Sequence, residues 1–238
     1  MSQAKVAVIV GVGPGLGSAI THRFAREGFT VVLMSRSGET ITDIKNQILA
    51  SGGKAIAIAT DVTEIKSVQS AFAQVLSQLG TPEVLIYNAG NFQMASILEL
   101  TPEQFETNWQ VNCLGAFLAV KQVLPQMVEQ RRGTILFTGA TAALRGSARF
   151  ASLAVGKFGL RALAQSLARE VGPLGVHVAH IVIDGIINTN KVQAREMERE
   201  TYTLLSPHAI AENYWQLYQQ DYTAWTLELD LRPAVENF

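Results

Sequence analysis

The chain holds one cysteine, Cys113, among 238 residues. A lone cysteine excludes an intramolecular disulfide and any zinc site built on thiolates. On a segment that reads as helix, it is expected to be a small buried residue. Histidine is scarce as well: His22, His177, His180 and His208. His177 and His180 stand three apart on what reads as a strand, so they face opposite sides and cannot share a metal. No metal site is expected. Charge is balanced, 19 Lys and Arg against 20 Asp and Glu, for a formal net charge of −1. Without a global basic field, neither nucleic acid nor an anionic membrane surface is an expected partner. No uninterrupted apolar stretch reaches the length of a bilayer span. The first residues, Met1 to Lys5, lead straight into a strand and leave no room for a signal peptide, so a soluble cytoplasmic protein is the expectation. A last absence concerns chemistry: no tyrosine occurs between Gly133 and Lys157.

Hydrophobic residues make up 48% of the chain, enough for the core of one α/β domain over residues 1–238. Val6 to Val10 is apolar without alternation, as in a strand covered on both faces. Gly11, Gly15 and Gly17 follow, with Leu16 between the last two, and a helix begins near Gly15. Glycines let the backbone turn tightly and approach a ligand, and the helix start directs free N–H groups at a phosphate. A strand, glycine turn and helix in that order form a dinucleotide-binding unit. Further strands are predicted over Thr30–Ser35, Lys54–Thr60, Val84–Tyr87, Gly133–Thr138, Val176–Ile183 and Thr226–Leu231. Helices are predicted over Ser37–Ala50, Glu64–Leu79, from Thr101 towards Arg131 in one or two pieces, Phe150–Val171, Lys191–Glu200 and Pro207–Gln219. Strands alternating with helices predict a doubly wound parallel sheet of about seven strands with helices on both faces. Its strand ends, at Gly11, Ser35, Asp61, Asn88, Ala140 and Asp184, would line the carboxyl edge where ligands bind.

Taken together, these strand ends resemble the short-chain dehydrogenase/reductase family over nearly the whole chain. Gly11-x-x-x-Gly15-x-Gly17 is similar to its cofactor turn, with Val10 in place of the usual Thr. Asp61-Val62 resembles the pair that holds the adenine ring, and Tyr87-Asn88-Ala89-Gly90 resembles the family's Asn-Asn-Ala-Gly. Asn112 matches its active-site Asn, and Lys157 stands where its Lys holds the nicotinamide ribose. Gly185, Ile187 and Thr189 match the segment that contacts the nicotinamide amide. In NAD-binding relatives an acidic residue ends the second strand. Here Ser35 and Arg36 stand there, and a guanidinium pairs well with a 2′-phosphate. NADP(H) is therefore preferred, with NAD(H) as the alternative. The resemblance also implies a homodimer or homotetramer and a substrate-covering segment over residues 190–220.

The resemblance breaks at the acid/base pair. The family's Tyr stands four residues before the Lys, which here is Leu153, and its Ser thirteen before the Tyr, which here is Ala140. Phe150 occupies the alternative Tyr position of the enoyl reductases, and Ser152 points away from residue 153 on a helix. Asn112, Lys157 and Asp184 remain as catalytic candidates. Asp184 stands where the family has Pro; it either donates a proton, if burial raises its pKa, or caps a turn, which is the preferred role. Ala140, Arg145, Leu153 and Tyr202 are the candidate substrate contacts. Arg149 is weighed beside Arg145 as a binder of an anionic group. Two functions follow: an NADP(H)-dependent oxidoreductase acting on a carbonyl/alcohol pair by hydride transfer with altered acid/base chemistry, or a nucleotide-binding sensor or partner subunit without turnover. The identity of a small-molecule substrate is beyond the sequence.

Overall fold

Uninterrupted apolar runs make strands that must be covered on both sides, and the fold supplies that cover. The computed structural model describes residues 5–189 and 203–235. The strands are β1 (Val6–Val10), β2 (Thr30–Ser35), β3 (Lys54–Ala59), β4 (Val84–Tyr87), β5 (Gly133–Thr138), β6 (Val176–Ile183) and β7 (Glu228–Leu231). They form one sheet in the order β3-β2-β1-β4-β5-β6-β7, and every neighbouring pair is parallel. Every residue of β1, β4, β5 and β6 is buried, which is why these strands carry no polar alternation. The partly buried β7 closes one edge; it is shorter than predicted because Thr226 serves as a hydrogen-bond partner outside the ladder.

Helices α1 (Leu16–Arg26), α2 (Gly38–Ala50) and α7 (Pro207–Tyr218) cover one face of the sheet; α3 (Ile65–Leu79), α5 (Gly115–Glu129) and α6 (Ala151–Val171) cover the other. Each layer buries its own apolar set, Phe24, Ile41 and Tyr214 on the first side and Phe72, Val123 and Leu160 on the second. Local chemistry sets several boundaries. Ser37 and Ser206 cap α2 and α7 through their hydroxyls. Thr101 and Gln104 form a reciprocal capping box on α4 (Pro102–Trp109), with Pro102 at its first position.

The stretch predicted as helix from Thr101 towards Arg131, in one or two pieces, is two helices joined by a π turn over Gln110–Leu114, and it ends at Glu129. The run Pro102–Glu129 is also long and apolar enough, by length and composition, for a membrane span. It is not an uninterrupted apolar stretch, since Asn112, Lys121, Gln122 and Gln126 fall within it. In the fold, Ala116, Ala119, Val120, Val123 and Met127 of this run are a core face against the sheet. The predicted helix over Lys191–Glu200, and Tyr202, lie outside the described residues.

The strand order reverses at β1. The chain leaves β1 for β2 and β3 on one side, then returns to β4 on the other. The carboxyl ends of β1 and β4 therefore flank a crevice, the place where such sheets bind ligands.

Candidate cofactor and active site

The crevice begins with Gly11. Its φ of +89° is a left-handed conformation, and a Cβ there would lie 2.2 Å from the Ala89 backbone nitrogen. Only glycine lets β1 end so close to the strand beside it. A Cβ on Gly17 would lie 2.8 Å from Gly11 O, and one on Gly15 would lie 2.8 Å from Thr189 Cγ2. Gly13 differs: a Cβ there would meet nothing within 4 Å. No packing partner explains this glycine, so its bare backbone faces open space at the mouth of the crevice.

The N–H groups of Gly15, Leu16 and Gly17 have no acceptor among the described residues. They are the free donors of the α1 N-terminus, where an anionic group is favoured. Leu16 contributes its N–H alone, since its side chain is buried in the core. A cavity of about 200 Å³ opens beside them, lined by Gly11, Val12, Gly13, Ser35, Arg36, Thr60, Val62, Asn88, Ala89, Gly90 and Val111. The sequence pointed to most of these; Val12, Gly13, Thr60 and Val111 it did not single out, because only the meeting of four strand ends and the π turn brings them together. Arg36 is exposed at the rim and has no ion pair or hydrogen bond among the described residues. Asp61 Oδ1 accepts from the Thr63 N–H at 2.9 Å and the Thr63 hydroxyl at 2.7 Å, which closes the turn after β3. Its other oxygen has no partner among the described residues. Free donors at a helix start, a bare glycine and an unpaired arginine fit a phosphate-bearing dinucleotide.

Further along the edge, Lys157 of α6 is 6% exposed, and its Nζ donates to Thr138 O at 2.8 Å. Burial lowers its pKa to about 8. Asn112 sits on the π turn, a feature often found at functional sites. Tyr87 Oη, at the end of β4, donates to Val111 O at 2.6 Å and so ties this turn to the sheet. Asn112 Nδ2 donates to Asn91 O at 3.1 Å and Asn108 O at 3.0 Å. Its Oδ1 is buried without a partner among the described residues. The two side chains converge: a Cβ on Gly90 would lie 3.4 Å from Asn112 Oδ1 and 3.7 Å from Lys157 Nζ. An ammonium and an unsatisfied amide oxygen thus face the same spot above Gly90.

The surroundings are apolar. Leu153 is buried one turn before Lys157, and Ala140 is extended and half-buried at the end of β5. Phe150 meets Phe92 edge to face at 5.6 Å. Asp184 accepts from the Thr141 hydroxyl at 2.6 Å on Oδ1, and Arg232 Nε lies 3.8 Å from Oδ2. Its N–H bonds to Leu231 O at 2.8 Å. These contacts tie the turn after β5 to the end of β7; Thr141, which the sequence did not flag, is the nearest partner. Arg145 and Arg149 are exposed on the loop after β5, with no side-chain partner among the described residues. Arg149 adopts φ +69°, and its carbonyl accepts from Ala95 N at 2.9 Å, joining that loop to the one after β4. After β6 the chain turns at Gly185 (φ +149°), bridges Ile187 to Leu205, and brings Thr189 against Gly15.

Of the remaining candidates, His180 lies beside Gly139 near the end of β5. His177 Nε2 lies 2.9 Å from Thr226 O and its ring stacks on Trp225, while His180 is buried on the opposite face. Cys113 is only half-buried, less than predicted, because the π turn holds it at the α6 interface with Sγ beside Gly159. No group of three or more metal-ligating side chains forms among the described residues.

Comparison with known proteins agrees with this geometry. The short chain dehydrogenase family profile matches residues 5–200. A short-chain dehydrogenase/reductase of Hericium erinaceus, eriH, is 34% identical over 194 residues, covering 79% of this chain and 77% of that protein. The crystal structure of a short-chain dehydrogenase from Rhodopseudomonas palustris superposes with a TM-score of 0.84 at 36% identity, covering 98% of this chain and 100% of that one. A metagenomic short-chain oxidoreductase in complex with NADP superposes with a TM-score of 0.86 at 25% identity, covering 99% and 100%. Sequence and superposition agree over most of the length, and the chain belongs to the short-chain dehydrogenase/reductase family.

Proposed function

We propose that the protein binds NADP(H) and interconverts a carbonyl and an alcohol, with Lys157 and Asn112 carrying the proton chemistry that a tyrosine usually performs. The observation that supports this most is the convergence of Lys157 Nζ and Asn112 Oδ1 above Gly90. When bound in the crevice, the dinucleotide would supply or accept the hydride. The Lys157 ammonium, with a pKa near 8, is a good donor at neutral pH. Asn112 Oδ1 accepts a hydrogen bond from a water that receives the Lys157 proton and passes its own to the substrate oxygen. In reduction, the carbonyl gains a hydride and a proton and becomes the alcohol; Lys157 is then reprotonated from solvent. Leu153 and Ala140 exclude water without polarising the carbonyl, so turnover is expected to be slow. Asp184, already held by Thr141 and Arg232, shapes the turn rather than donating a proton.

Ser35 and Arg36 support the phosphorylated dinucleotide. Ser35 brings no carboxylate to the end of β2, and Arg36 is free to pair with a 2′-phosphate. The NADP complex of a structural neighbour is consistent with this choice. A second copy of the chain is the expected partner, since Phe105, Trp109, Phe117, Val155 and Phe158 expose apolar surface on α4 to α6.

The loss of both hydroxyls favours a second reading, a nucleotide-binding sensor or partner subunit without turnover. Two measurements decide. Fluorescence titration with NADPH and NADH tests binding, and no saturable signal with either overturns both readings. A carbonyl screen of the wild type against Ala140→Ser/Leu153→Tyr tests turnover. The double variant is expected to be faster, because it restores a proton donor and a carbonyl hydrogen bond. No turnover in either protein, with NADPH bound, leaves the sensor.

A further inference from the structure

Thr138, the last residue of β5, is where the two halves of this edge meet. Its carbonyl accepts the Lys157 ammonium at 2.8 Å. Its hydroxyl lies 3.0 Å from Asn88 Oδ1, and Asn88 Nδ2 donates to Gly11 O at 2.8 Å. On its other side the hydroxyl lies 2.7 Å from Tyr214 Oη, which is completely buried on α7.

The direction of every bond in this chain is determined. Gly11 O is a carbonyl and can only accept, so Asn88 must present its NH₂ there and its Oδ1 to Thr138. Oδ1 can only accept, so Thr138 spends its single proton on Asn88. The Tyr214 phenol must then donate to Thr138 Oγ1. Donation runs one way, from α7 through β5 and β4 to the carbonyl of the glycine turn. Phenylalanine at 214 and valine at 138 would fill nearly the same volume in this apolar layer. Burying the two hydroxyls is costly unless they are paired, and here both are.

We propose that Tyr214 and Thr138 are positioning residues for the dinucleotide. Together they hold the Asn88 amide, which sets the Gly11 carbonyl and thereby the glycine turn. Through its own carbonyl, Thr138 sets the Lys157 ammonium at the other end of the site. One residue thus registers the phosphate-binding turn against the lysine, and Tyr214 locks that residue from a helix on the opposite layer. This rests on the reading that the crevice binds NADP(H).

The test uses the full chain, NADPH titration by fluorescence, and thermal melts with and without NADPH. Thr138→Val keeps the shape but strands the Tyr214 phenol and Asn88 Oδ1, so the NADPH Kd is expected to rise about tenfold. Tyr214→Phe leaves the Thr138–Asn88 bond in place, and a rise of about threefold is expected. Thr138→Ser retains the hydroxyl and should bind within about twofold of wild type. A purely structural role would lower the melting temperature of the unliganded variants and leave NADPH affinity of the folded protein unchanged. The inference is overturned if wild type binds NADPH and the Val and Phe variants match it within twofold. Should Thr138→Val not fold, Tyr214→Phe alone decides. Absence of NADPH binding by wild type instead overturns the cofactor reading on which the inference stands.

Discussion

Two glycines in one turn should respond oppositely to the same substitution. Gly11→Ala places a methyl 2.2 Å from Ala89 N, 2.4 Å from Ala89 Cα and 2.7 Å from Asn88 C. All three are backbone atoms, so no side chain can rotate aside; β1 and β4 must separate at their ends by about 1 Å to restore normal contact. The φ of +89° adds about 1–2 kcal/mol for any residue with a Cβ. With the disturbed junction, a total loss of at least about 3 kcal/mol is expected. For 238 residues the unfolding entropy at the midpoint is about 0.5 kcal/mol/K, so the melting temperature should drop by about 6 °C or more. Gly13→Ala meets nothing within 4 Å and should leave stability within about 0.5 kcal/mol of wild type. Its methyl instead projects into the space assigned to the dinucleotide and should weaken NADPH binding. Urea unfolding followed by circular dichroism measures the first effect, and fluorescence titration the second. A Gly11→Ala protein as stable as wild type would refute the packing account. A Gly13→Ala protein with unchanged NADPH affinity would refute the assignment of that space.

Other expectations follow from single groups. If Lys157 is the acid in reduction, the rate should be flat below pH 8 and fall towards tenfold per pH unit above it, because the ammonium loses its proton through a pKa of about 8. Lys157→Met should abolish that limb, and a wild-type rate that stays flat to pH 10 would exclude the role. Arg36→Glu places a carboxylate where a 2′-phosphate is expected, so NADPH affinity should fall by about 2 kcal/mol while NADH affinity holds or improves; equal losses for both cofactors would count against the pairing. His180 is fully buried, neither ring nitrogen has a partner among the described residues, and burial, with the nearby Lys157 charge, lowers its pKa to about 4. The unfolded chain, with an ordinary histidine near 6.5, binds more protons below that pH, so stability should be full above pH 6.5 and fall as pH drops towards 4. Between pH 7 and 5 the His180 contribution is about 2 kcal/mol, and His180→Leu should remove that much of the urea-midpoint slope; an unchanged slope would show that another group titrates.

The elements were legible because their causes are local. Apolar runs without alternation mark buried strands, Thr101-Pro102 marks a helix start, and a glycine turn between strand and helix marks a phosphate site. Each needs only neighbours along the chain, and the parallel sheet follows from their alternation. The residues at the carboxyl edge were legible for the same reason, as strand ends. What each does there was not. Asp184 reads from sequence as either an acid or a cap; its contacts with Thr141 and Arg232, 43 and 48 positions away, come only from the fold. Gly11 and Gly13 are two glycines of one turn in the sequence, and only the strand beside them separates a glycine needed for packing from one facing open space. Lys157 is a cation in sequence, but burial, which only folding supplies, lowers its pKa to about 8. Tyr214 and Thr138 carry no motif at all: three strand ends and a helix from opposite layers must meet before their hydroxyls can point at the glycine turn. Periodicity and turn chemistry act over a few residues and so are written in order along the chain; desolvation and hydrogen-bond direction depend on what folding brings near.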